Sequence, residues 1–93
     1  MDSLQRKHRT IIEDTGFKDQ LKKLRISHRR LDELMENGVA FALCREPEVF
    51  PGLPGSTVRR IRVLACVGIP DCNIWFSYDD EKVTLVAIDL LEE

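Results

Sequence analysis

The sequence has few of the features by which chemistry is usually announced. Its three cysteines, Cys44, Cys66 and Cys72, are odd in number and no two have CxxC spacing. Neither a disulfide framework nor a zinc site is therefore indicated, and reduced, buried thiols are expected. Cys66 and Cys72 flank a link between strands, but a bridge there is the less favoured reading in a reducing compartment. No apolar run approaches the roughly 18 residues of a membrane span; Val39–Cys44 is typical of the longest. The basic residues Arg6, Lys7 and Arg9 have no apolar segment behind them, so no signal peptide is read and a cytoplasmic protein is expected. His8 and His28 are far apart and lack an obvious partner, which argues against a general base or a metal ligand. There is no glycine-rich phosphate loop, no nucleophile elbow and no framed pair of carboxylates. The acidic run Asp79-Asp80-Glu81 lacks calcium-loop spacing and reads as a solvated hairpin tip. No cofactor or metal is expected.

What is present is an ordinary globular composition, 32% charged and 43% hydrophobic, over 93 residues. That length fits one domain, 1–93, in which residues 1–9 form a loosely ordered tail or a short helix. A domain of this size buries only about 60–65% of its unfolded surface, and many such domains gain stability from a partner. The net charge of −2 hides an asymmetry. Residues 1–62 hold 13 Lys/Arg and 9 Asp/Glu, whereas residues 63–93 hold 1 and 7. The basic part suits nucleic acid or an acidic partner, unless the two fields cancel within one small body. A pI of about 5.7 argues against RNA binding by bulk charge.

Thr10-Ile11-Ile12 reads as a short first strand. Asp14 or Thr15 caps a helix whose stripe is Phe17, Leu21 and Leu24. Ser27 caps a second helix with the stripe Leu31, Leu34, Met35, Val39 and Ala42. Asn37-Gly38 interrupts that stripe, which resumes in phase, so one helix to about Cys44 is expected. Glu46–Ser56, with three prolines, is a loop. The period then changes to 2, giving strands at Thr57–Val67, Cys72–Tyr78 and Val83–Leu91. The expected fold is α+β, strand, helix, helix and three strands, with an antiparallel sheet packed on a helical hairpin.

Alternation places Ile61 and Val63 beneath the helices, along with Ile74, Phe76 and Tyr78. The open face then carries Arg60, Arg62, Asn73, Trp75 and Ser77. Paired arginines beside a tryptophan suit phosphates with an aromatic platform. The blander reading, a cation–π contact and surface ion pairs, is favoured on composition alone. Both faces of the last strand are apolar, so it is expected to be central and covered on both sides.

The ordered set Phe17-Lys18-x-x-Leu21-x-x-Leu24, Arg45-x-Pro47-Glu48, Pro54-Gly55 and Arg59-Arg60-Ile61-Arg62, closed by Ile74–Leu85, resembles the RelE/ParE superfamily of bacterial toxins. The likeness spans residues 10–90. It implies the toxin component of a type II toxin–antitoxin module, a growth inhibitor neutralised by a cognate antitoxin within a hetero-oligomer. The implied target is ribosome-bound mRNA, cut by a ribosome-dependent endonuclease with RNA-binding basic residues, or DNA gyrase. Carried over by position, Arg60 and Arg62 are the catalytic basic pair; Arg59, Asn73, Trp75 and Ser77 beside them are the expected binding residues. The sequence departs from the RNA-cleaving pattern in three places. Asn73 stands where such enzymes carry arginine, Glu93 falls near a basic position, and the C-terminal tyrosine has no counterpart. The alternative is a catalytically inactive protein–protein interaction module on the same fold.

Overall fold

The computed structural model describes residues 9–91. Most of the expected tail, with His8, and Glu93 lie outside the described residues. The chain forms β1 (Thr10–Glu13), α1 (Thr15–Lys23), α2 (His28–Leu34), a π-helical turn (Met35–Val39), α3 (Ala40–Arg45), a 3-10 turn (Pro47–Val49), β2 (Arg59–Val63), β3 (Cys72–Tyr78) and β4 (Lys82–Leu90).

The first helix is a consequence of its stripe. Phe17 and Leu21 are buried, and Leu24 packs against the same core. Asp14 takes the extended cap conformation but makes no side-chain cap bond. The helix ends in a double turn closed from behind: Ile26 N–H donates to Leu21 O (3.1 Å) and Arg25 N–H to Lys22 O (3.0 Å). Arg25 occupies the left-handed position usually given to glycine, with φ 59. Burial of both Ile26 and Leu21 offsets that strain, as in helix ends of this type generally. Lys22 and Lys23 complement the dipole in the last turn.

The second helical run persists to Arg45, but only by accommodating Asn37-Gly38. Gly38 has φ 113, which a side chain rarely tolerates, and the chain widens there into the π turn. Leu31 before the turn and Leu43 after it both reach the core.

The four strands lie in the order β1-β4-β3-β2. β2, β3 and β4 are antiparallel neighbours, as their short links require. The sheet as a whole is mixed, which corrects the expected antiparallel sheet: β1 runs parallel to β4, pairing Thr10 with Lys82 and Glu13 with Leu85. Short-link reasoning governs only hairpin neighbours. β1 is joined to β4 through three helices and two strands, so nothing local fixes its direction. The result is a small α+β fold with β4 in the middle.

Two strands differ from their expected form. β2 stops at Val63 rather than Val67, because Ala65 (φ 53) and Gly68 (φ 83) turn the chain. Ala65 N–H is held by Asp71 Oδ1 at 3.0 Å, and Ile69 folds back into the core. β4 carries a bulge: Trp75 pairs with Ala87 and Phe76 with Leu85, leaving Val86 extra. Burial accordingly runs Val83, Leu85, Ile88, changing phase after Leu85. The phase change explains why both faces of this strand look apolar in sequence.

The cysteines are free; Cys44 and Cys72 are buried and Cys66 is partly so. Burial, helped by Asp71, Asp89 and Cys66 nearby, pushes the Cys72 thiol up to about 11. It is inert at neutral pH.

Candidate functional site

The open face of the sheet is set by strand register. Arg60 lies opposite Trp75, and Arg62 opposite Asn73. Trp75 in turn faces Ala87 and Asn73 faces Asp89 on β4, while Ser77 faces Thr84. The neighbours of these residues along each strand, Ile61, Ile74 and Phe76, point into the core and are buried. The backbone thus brings five of the six candidate residues, Arg60, Arg62, Asn73, Trp75 and Ser77, to one side.

Arg59 is on the other side. It shares a face with Ile61, and its guanidinium donates to Phe50 O at 2.6 Å while lying 5.8 Å from the centre of the Tyr78 ring. Arg9 approaches the same ring at 5.4 Å and donates to Asp79 O (2.6 Å) and Cys44 O (3.3 Å). These two arginines tie the proline loop and the first strand's approach to the β3–β4 hairpin. Arg59 and Tyr78 border a polar cleft of about 400 Å³ formed with Ser56, Thr57, Asp79 and Asp80.

On the open face, one residue that the sequence reading did not single out organises the others. Asp89 accepts a hydrogen bond from Trp75 Nε1 and another from Asn73 Nδ2, both at 3.1 Å. The indole is thereby tied to β4 through its N–H, with the Arg60 guanidinium 6.0 Å from its centre. The amide oxygen of Asn73 is buried and has no hydrogen-bond partner among the described residues. Arg62 is exposed and, among the described residues, has no hydrogen bond or ion pair. The signal for Asp89 was available: it is the lone acid within Val83–Leu90, but the bulge hid its face from simple alternation.

Chemically this surface offers two cations, an ordered indole and one carboxylate. The cation–π contact is the arrangement the blander sequence reading favoured, here combined with hydrogen bonds to Asp89. The carboxylate lies within the basic patch, where it opposes a phosphate and favours a ligand with groups of both signs. His28 is elsewhere, bridging Glu13 through Nε2 at 2.9 and 3.0 Å. Among the described residues no group of three or more His, Cys, Asp or Glu is placed to hold a metal ion, and no helix is long and apolar enough to cross a membrane.

No family model and no curated protein matches the chain.

Proposed function

We propose that the chain is a RelE/ParE-like toxin component of a type II toxin–antitoxin module, acting in the cytoplasm through docking rather than RNA cleavage. The observation that carries this reading is the open face, where Arg60 and Arg62 project beside an indole fixed by Asp89. The order strand, helix, helix, strand, strand, strand supports it too. Docking is preferred because the patch mixes signs and because Asn73 stands where a nuclease would need a cation. DNA gyrase is then a better-fitting target than ribosome-bound mRNA, and a cognate antitoxin neutralises the protein by covering the same region. Asp89 equally favours a second reading, a non-toxic interaction module that uses this face only to bind.

The test is induced expression in a bacterial host without any neighbouring gene, with soluble protein verified. Growth arrest, with gyrase supercoiling inhibited and ribosome-bound mRNA left intact, is the expected result. Arrest with mRNA cleavage would reinstate the nuclease. Normal growth would leave the interaction module.

A further inference from the structure

We infer that the outer edge of β2, beyond Arg60, is a site for strand addition by an extended acidic segment of another protein. β2 forms one border of the sheet. Its first half is already covered by the chain's own loop. Arg60 N–H donates to Pro51 O at 2.9 Å, and Leu53 N–H to Val58 O at 3.0 Å. The next bond of such a ladder runs from the amide of residue 51 to the carbonyl of Arg60. Residue 51 is proline and has no N–H, so the ladder ends there. Phe50 turns inward instead, its ring meeting Phe76 edge-on at 5.6 Å.

Past that point the edge is open. Alternation directs the carbonyl of Arg60 and both backbone groups of Arg62 outward, and no described residue hydrogen-bonds to them. Edges of this kind invite pairing unless a proline, a bulge or a cover blocks them, and β2 has a regular register with β3 throughout. Its charges decide what pairs. Arg60 and Arg62 repel a second copy of the same edge and attract carboxylates on a partner strand. Just beyond, Leu64 is 57% and Val67 83% exposed, so an apolar residue following the acidic ones is covered as well. The other border strand, β1, spans four residues and ends at Glu13, an acid already engaged by His28. The occupant is therefore an extended segment with a carboxylate opposite Arg62 and an apolar side chain opposite Leu64.

This deepens the docking reading by naming how a partner engages, yet its test does not involve growth. Short extended peptides that present two Glu and then one Val on the same face (Glu-Thr-Glu-Thr-Val and its reverse), their Lys counterparts, and their Ser counterparts are titrated to about 1 mM, the range of weak binding. Amide exchange at Arg62 and the self-association of the protein are followed. The acidic peptide is expected to bind and to slow exchange of the Arg62 amide, with the lysine peptide at least about tenfold weaker. Arg62→Pro removes the outward N–H together with the guanidinium and is tolerated at an edge, whereas Arg62→Ala removes the guanidinium alone; the proline variant should abolish binding and the alanine variant only weaken it, while both keep the thermal midpoint. Arg62→Glu should invert the preference. The inference is overturned if no acidic peptide binds, if binding leaves the Arg62 amide unprotected, if Arg62→Pro binds normally, or if the edge instead pairs two copies of the chain. Peptide binding without growth arrest would sink the toxin reading alone, and growth arrest without peptide binding would sink strand addition alone.

Discussion

On the helix side of the sheet, Ile61, Ile74, Phe76 and Val83 lose nearly all contact with water, while one residue along each strand Arg60, Trp75 and Thr84 are only half-buried. The first set is held by area removed from water, a force without direction. The second is held by directed contacts: Asp89 to the indole and amide, Arg60 to the ring face. The difference teaches where tolerance lies. Loss of volume on the helix side is a loss of fold, whereas substitution on the open side changes what the sheet presents with the fold intact.

The largest effect expected is therefore on the helix side. Phe76 is 0% exposed and meets Phe50 edge-on. Phe76→Ala should cost about 3–5 kcal/mol, a large part of the stability of so small a domain. Denaturant unfolding measures it. A loss below about 1 kcal/mol would mean that the proline loop closes over the space and that the two faces differ less than their burial implies.

Asp89→Ala comes next and probes the open face at its most structured point. Trp75 Nε1 and Asn73 Nδ2 lose their acceptor together. Since Asp89 is exposed, water replaces part of what is lost, and the expected cost is about 1 kcal/mol. Trp75 is the only tryptophan, so freeing its indole should shift the emission to the red. An unchanged spectrum would show that the cation–π contact with Arg60 suffices to hold the ring.

A smaller effect belongs to the hairpin that joins β3 to β4. Asp79 Oδ1 accepts the amides of Glu81 (2.8 Å) and Lys82 (2.9 Å), closing the turn that the sequence supplies without glycine. These bonds, with Lys82 and Arg9 nearby, hold its carboxyl below the ordinary 3.8. Because the folded value is the lower one, the contribution is fully present above the unfolded value and is lost as pH falls through the folded value. The thermal midpoint should thus decline on acidification below about pH 4. Asp79→Asn, which keeps the acceptor and loses the charge, should flatten that part of the profile relative to the natural protein.

How much of this was legible follows the range of the forces involved. The α1 stripe, the β3 alternation and the hairpin at Asp79 are local patterns, and the structure realises each. The direction of β1 is not local, since its partner Val83 lies 72 positions from Ile11. The bulge at Val86 was illegible because both faces of β4 are apolar there, and a shift of one residue leaves no mismatch. That slip also concealed Asp89. Arg59 was grouped with Arg60 and Arg62 by adjacency, although the same alternation that pairs Arg60 with Trp75 sends Arg59 to Phe50 O.

The finest distinction is between the two arginines of the open face. Arg60 rests near the indole, whereas Arg62 projects past Asn73 without a partner among the described residues. Arg60→Ala should cost a few tenths of a kcal/mol through the lost cation–π contact, and Arg62→Ala about zero, since an exposed charge without a partner contributes little to folding. If the open face docks a partner, their order reverses in binding. Arg62 has its full set of donors free and should be the more damaging loss, while Arg60 is already engaged. Urea midpoints and partner affinity measured on the same two variants separate the roles. Equal loss of affinity from both would mean that the patch acts through its summed charge, and raising the salt concentration should then erase binding by both routes alike.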